Sequence, residues 1–152
     1  MFDMQNMLQR ENVQVIESVP TWKTAISYAI DPLVKSGFAQ PCYAENIIAN
    51  AEQYGPYFIL FPDLALLHAR PEQGAIKTQL GITIIRQGVT FKPGTLPCRV
   101  LIALVATDDD THLDVIRALA KMLERPEYIK DLATAKDSQQ VYERFMSAVN
   151  NS

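Results

Sequence analysis

The sequence predicts an α/β protein in which a mixed β-sheet is sandwiched between α-helices, and three observations carry that expectation. The runs LGITIIR (80–86) and RVLIALVAT (99–107) are almost continuously β-branched or Leu, which suits strands buried on both faces. Segments with apolar residues at 3.6-residue spacing lie on either side of these runs in the chain. The order is helices, then a group of strands, then helices, and that order places helices against both faces of one sheet. A chain of 152 residues is long enough for one core, and a single domain over residues 1–152 is expected.

Taken in order, VQVIES (13–18) alternates enough for a short strand. Thr21 to Lys35 places Trp22, Ala25, Ile26, Ala29, Ile30, Leu33 and Val34 on one helical face. Thr21 is the N-cap, Gly37 lies just beyond the end, and Pro32 removes an N–H inside the helix and threatens a kink. Pro41 opens a second helix, in which Tyr43, Ile47, Ile48 and Ala51 share a face and Gly55 ends the run. YFILF (57–61) is too short and too β-rich for a helix and reads as a buried strand. DLALLHARPEQG (63–74) reads as a loop with an apolar stretch ending on His68. Strands at Leu80–Arg86, Val89–Phe91 and Arg99–Thr107 follow, with KPGTLP as the turn between the second and third. A helix starting at DDDTH carries Leu113, Ile116, Leu119, Ala120 and Leu123 on one stripe. Pro126 separates it from the short helix EYIKDLATA. Asp137 or Ser138 caps a last helix with Val141, Phe145, Met146 and Val149 inward.

Composition narrows the function. Apolar residues make up 48% and charged residues 20% of the chain, as in an ordinary globular protein. A net charge of −3 with scattered Lys and Arg argues against nucleic acid or an anionic membrane as the main partner. No apolar stretch approaches a membrane span, and the N-terminus is too polar for a signal peptide, so a cytoplasmic protein without membrane insertion is expected. Cys42 and Cys98 form no C-x-x-C or Cys/His ligand pattern and read as buried free thiols.

The chemistry converges on histidine. Only two are present, His68 after the apolar run and His112 at a helix start after the strongest strand. If both preceding strands lie centrally in one sheet, their carboxyl ends bring the imidazoles into one crevice; the plain alternative, two ordinary polar loop or cap residues, stays open on pattern alone. The histidines with Asp108, Asp109 and Asp110 could be assembled into a metal site on paper, but no H-x-x-x-H or H-x-H spacing exists, and neither a metal nor a cofactor is expected. A G-x-S-x-G elbow, a catalytic Cys context, a Walker loop and a G-x-G-x-x-G are all missing. What remains is an imidazole that attacks phosphorus and later releases the phosphoryl group, with Arg70 two residues on as a forked donor.

These residues resemble a known family. GPYFILFPDLALLHARPEQGAIKT (55–78) is similar to the segment around the phosphorylated histidine in IIA components of the bacterial phosphoenolpyruvate-dependent sugar phosphotransferase system, in the mannitol/fructose class with its single-domain mannitol-like and ascorbate-like members. TWKTAI, EQYGPY and ATDDDTHLDVIRALAKML fall in the family's order, so the likeness covers nearly the whole chain. It implies that His68 accepts phosphate from the phosphohistidine carrier protein HPr and passes it to a cysteine or histidine of a IIB component, and that His112 contacts the phosphoryl group without accepting it. A regulatory domain of the same fold, sensing phosphotransfer state by binding a partner, is the alternative.

The chain also departs from the pattern. Many members have Pro before the active histidine and Gly where Asp63 stands, whereas this chain has Leu67 and Asp63. An Arg-Glu pair near the end of the preceding helix has no full counterpart, since only Glu52 is kept, and Arg70 is the candidate for that electrostatic role. Glu72 orients a ring nitrogen, docks a partner or is simply solvated. Asp108 to Asp110 read as caps, Thr111 or a helix-start N–H as a possible phosphoryl ligand, and Tyr54 and Tyr57 as packing residues.

Overall fold

In the computed structural model, which describes residues 3–151, ten regular elements follow one another along the chain. They are β1 (Leu8–Ile16), α1 (Trp22–Lys35), α2 (Cys42–Tyr54), β2 (Ile59–Phe61), β3 (Leu64–Leu67), β4 (Gln79–Val89), β5 (Cys98–Val105), α3 (Asp109–Met122), α4 (Pro126–Ala133) and α5 (Ser138–Asn150). Short 3₁₀ turns lie at Met4–Asn6 and Pro71–Gln73. The sheet is mixed and five-stranded, in the order β1-β4-β5-β3-β2. β4 and β5 pair antiparallel at its centre, β1 runs parallel to β4, β3 parallel to β5, and β2 antiparallel to β3.

The uninterrupted apolar runs have the cause the sequence suggested, because side chains alternate between two cores. Leu80, Ile82, Ile84, Val100, Ile102 and Leu104 pack with Val115, Leu119, Val141 and Phe145 of α3 and α5. Ile85, Leu101, Ala103, Val105, Ala65 and Leu67 pack with Ile26, Ile30, Leu33, Tyr43 and Ile47 of α1 and α2. Both faces of the central strands are therefore dry.

Local signals mark the helix ends. Thr21, Asp108 and Asp137 each accept a hydrogen bond from the backbone N–H three residues on, which satisfies one donor that the first helical turn leaves free. Helix α1 continues through Pro32. The Tyr28 carbonyl, whose donor Pro32 removes, accepts instead from Gln14 Nε2 at 2.7 Å, and the same amide donates to Thr83 Oγ1 at 2.9 Å.

Several expectations need correction. The first strand begins at Leu8 rather than Val13: Leu8 pairs with Leu80, and an irregularity before Val13 carries polar, exposed Gln9, Arg10 and Glu11 along the sheet edge, where apolar alternation is not required. The strand expected at 57–61 is shorter and not buried, because β2 is the opposite edge and Ile59 is 43% exposed. The apolar stretch 64–67, read as loop, is the fully buried strand β3. The separate strand at 89–91 does not exist as such. β4 runs to Val89, which pairs with Cys98 beyond an irregularity between Ile84 and Val89; within that stretch Gly88 has φ +74°, and an added Cβ would lie 2.7 Å from Pro97. On α3 the expected stripe holds at Leu119 and Leu123, which are buried, and at Ile116, which packs against the same core; Val115 and Met122 widen it, and Leu113, expected inward, is 47% exposed. On α5, Val141 and Phe145 are buried as expected, and Met146 and Val149 only flank the core. Both cysteines are free, but Cys42 is half-buried and only Cys98 is buried.

Candidate active site

Strand order decides what the two histidines can do. β3 and β5 are adjacent and parallel, with Leu67 opposite Ala103, so both point their carboxyl ends at the same edge. His68 follows β3 directly, and His112 lies in the first turn of α3, four residues after its cap. Their ring centroids are 4.9 Å apart at an interplanar angle of 67°. The strand expected before His68, at 57–61, is the edge strand β2, so β3 forms the crevice with β5 in its place, and the two imidazoles share a cleft of about 340 Å³. Arg70, Tyr57, Asp109 and Leu113 also line it.

The His68 ring is held in one orientation. Its Nδ1 lies 2.6 Å from the Leu66 carbonyl oxygen, an acceptor only, so Nδ1 carries the proton and Nε2 keeps its lone pair. Burial lowers the affinity of the His68 ring for a second proton; the Leu66 hydrogen bond opposes that shift and nearby His112 reinforces it. Burial also lowers the pKa of His112, against the pull of Asp109. His112 Nδ1 is buried without a hydrogen-bond partner.

Three side chains clamp the backbone that follows. Tyr43, fully buried on α2, accepts from the Ala69 N–H at 3.0 Å and donates to the Leu104 carbonyl at 2.7 Å, tying α2, β5 and the histidine loop together. Burial pushes its phenol well above the ordinary range, so the hydroxyl stays a donor. The Tyr57 hydroxyl donates to the His68 carbonyl. Gln73 Oε1 accepts from the Arg70 N–H at 2.9 Å and from Asn50 Nδ2 at 3.0 Å, while the Gln73 carbonyl accepts from Asn46 Nδ2 at 2.7 Å. The 3₁₀ turn carrying Arg70 is thereby fastened to α2.

Of the residues singled out in the sequence, His68, His112 and Arg70 come together. Asp109 joins the wall, but Glu72 is exposed and does not. Asp108 spends its carboxylate on the cap, accepting from Thr111 N at 2.7 Å and Thr111 Oγ1 at 2.9 Å. Those bonds hold Asp108 below the usual carboxylate range and engage the Thr111 donors that the sequence reading offered to phosphate. Glu52 pairs with Lys23 at 3.0 Å on the surface, outside the cleft walls. Tyr57 is more than a packing residue, and Asn50 and Gln73 went unnoticed. A tyrosine among the isoleucines of α2's inner face was the available signal, since a buried phenol needs a partner for its hydroxyl.

Comparison with known proteins bears on the family and the fold. The family described as Phosphoenolpyruvate-dependent sugar phosphotransferase system, EIIA 2, matches residues 6–148. The chain belongs to this family. Over 130 residues, 86% of this chain and 88% of the other, it is 36% identical to the mannitol-specific cryptic phosphotransferase enzyme IIA component of Escherichia coli K12. It is 29% identical over 138 residues to the ascorbate-specific PTS system EIIA component of the same organism, covering 90% of each. The solution structure of the mannitol-specific cryptic IIA CmtB from Escherichia coli superposes with a TM-score of 0.82 at 32% identity, over 96% of both chains. IIA components of this kind are parts of a phosphotransferase, and the mixed sheet between helices is their fold.

The structure accounts for Asp63. Its φ is +72°, alone among the described non-glycine residues in the left-handed region, where Asp is tolerated better than most. It also accepts from Arg99 N at 2.8 Å, Nε at 2.9 Å and Nη2 at 2.6 Å. The left-handed turn before β3 is thus made by an aspartate anchored to β5. No helix among the described residues is long and apolar enough to cross a membrane.

Proposed function

We propose that this EIIA chain is a phosphoryl carrier that takes a phosphoryl group from HPr onto Nε2 of His68 and passes it to a IIB component for sugar uptake. The observation that carries the reading is the Nδ1 contact to the Leu66 carbonyl, which leaves Nε2 as the nucleophilic nitrogen. The Nε2 lone pair forms a bond to phosphorus as the bond from phosphorus to the donor's ring nitrogen breaks, and the electron pair stays with that nitrogen. The Nδ1 proton does not move. In the second half the acceptor on IIB, a cysteine or histidine as the family resemblance implies, attacks the same phosphorus and returns His68 to its starting state.

Arg70 and His112 serve the phosphoryl oxygens. Arg70 supplies a permanent cation with forked donors at the cleft. His112 avoids burying an unpaired N–H by carrying its proton on Nε2, which makes that nitrogen a neutral donor to an oxygen. Transfer of this type depends on position and electrostatics more than on covalent chemistry, and the clamps on residues 68–70 supply the position. The whole chain, 1–152, acts as one cytoplasmic IIA unit. The higher identity to the mannitol-type relative, 36% against 29%, favours mannitol or another polyol over ascorbate.

The test is incubation with phosphoenolpyruvate, the general enzyme of the system and HPr. One phosphate is expected on the wild type, at Nε2 by ¹⁵N and ³¹P spectroscopy, and none on His68→Ala. Stoichiometric labelling of the variant, or phosphate on Nδ1, would sink the assignment.

A further inference from the structure

The tripeptide His68–Ala69–Arg70 has its backbone fastened at several points, and one of these contacts touches both the main chain and the ring of the nucleophile. The Tyr57 hydroxyl donates to the His68 carbonyl. The Tyr57 ring also stands edge-on to the imidazole, with centroids 5.2 Å apart and planes at 89°. Tyr57 also meets the Phe58 ring, with centroids 5.1 Å apart, and Phe58 is buried in the core between the sheet and α1/α2. Tyr57 is therefore braced against the interior while contacting His68 twice.

We propose that Tyr57 is a positioning residue for phosphoryl transfer: through the His68 carbonyl and the face-to-edge ring contact it holds the imidazole so that Nδ1 stays on Leu66 and Nε2 stays toward the cleft. The inference rests on the carrier reading above for its consequence, but not for its geometry. An imidazole has two tautomers of similar energy in water, and only the one protonated at Nδ1 satisfies the Leu66 oxygen. That selection depends on the ring staying within hydrogen-bond reach of a carbonyl two residues back. Rotation about the first side-chain torsion, or a shift of the His68 peptide, breaks it. Tyr57 opposes both movements, one through its hydroxyl and the other through its ring. The Asn50 amide stands beside the phenol and favours its ionised form, whereas burial disfavours that form more strongly and keeps the hydroxyl protonated as the donor this role requires.

Tyr57→Phe tests the proposal, because it keeps the ring at a position that is 38% exposed and deletes only the hydroxyl. The primary readout is the pair of ¹⁵N shifts of the His68 ring, which report the tautomer directly and need no partner protein. Wild type is expected to show the Nδ1-protonated form alone, and Y57F a mixture with the Nε2-protonated form. Phosphoryl uptake from HPr should slow about threefold to tenfold, the effect of losing one neutral hydrogen bond. A backbone amide spectrum that changes only near residues 55–70 confirms that the fold is kept. Unchanged His68 ring shifts in Y57F overturn the positioning role, whatever the rate. Wild-type protein that takes up no phosphoryl group refutes the carrier reading instead, and the tautomer measurement then still decides the role of Tyr57.

Discussion

Replacing Tyr43 by Phe would remove one oxygen from the interior and expose how the site is supported. That oxygen accepts from the Ala69 N–H at 3.0 Å and donates to the Leu104 carbonyl at 2.7 Å, and both partners are buried. Without it the Ala69 N–H is stranded in an apolar setting, at a cost of about 1–3 kcal/mol, and the lost bond to Leu104 adds about 0.5–1.5 kcal/mol. The expected loss is thus roughly 2–4 kcal/mol of unfolding free energy. For a chain of this size, at ~2–4 °C per kcal/mol, that corresponds to a fall of roughly 5–15 °C in Tm. Urea denaturation should show a lower midpoint with an unchanged slope, since the surface exposed on unfolding is nearly the same. The Ala69 peptide adjoins His68, so phosphoryl uptake should slow as well. Displacements of about 1 Å at a reacting group cost on the order of 100-fold. A Tyr43→Phe protein with wild-type stability and rate would refute the claim that this hydroxyl anchors the histidine loop.

Other substitutions probe separate parts of the site. His112→Ala and Arg70→Ala should each slow transfer by ~100–1,000-fold while leaving His68 the modified residue, the usual effect of losing one donor to a developing charge; single-turnover transfer from phosphorylated HPr measures this, and wild-type rates in both would contradict the pocket. Burial holds both imidazoles below their ordinary value of 6.5, so the unfolded chain binds protons at a pH where the folded one does not. Their contribution to stability is therefore complete above pH 6.5 and is lost as pH falls through the lower folded values, and phosphoryl acceptance should persist at pH 6.5; denaturation and labelling across pH 4.5–8.5 (about two units either side of an ordinary imidazole) would show a rise in stability on acidification if the sign is wrong. Asp63→Ala puts a Cβ-bearing residue without polar help at φ +72° and removes three hydrogen bonds to Arg99, so a loss of about 1–3 kcal/mol is expected, and Asp63→Asn should recover part of it.

Helix boundaries were legible because capping is local. Thr21, Asp108 and Asp137 each bond a backbone N–H three residues away, and no distant contact is needed to make those signals true. The fold class was legible for a related reason: runs such as RVLIALVAT remain apolar only where both faces of a strand are covered. The candidate nucleophile, His68, was legible from the histidine motif and from the scarcity of alternatives. Leu64 to Leu67, in contrast, had no local mark of being a strand, since four apolar residues suit a strand or a buried loop equally until β5 supplies a partner ladder. The edges of the inner stripe of α3 were likewise undetermined, because periodicity states that a helix has an inner face and the packing partner decides how far it extends. That choice turned Val115 inward and left Leu113 beside His112 at the cleft. Finally, the meeting of His68 with His112, and the hydroxyls of Tyr43 and Tyr57 on the His68 loop, join residues 11 to 44 positions apart in the chain. Residue type sets which hydrogen bonds such groups can make. Only the β5-β3 adjacency, a choice among strand orders settled by burying both sheet faces at once, brings them within reach.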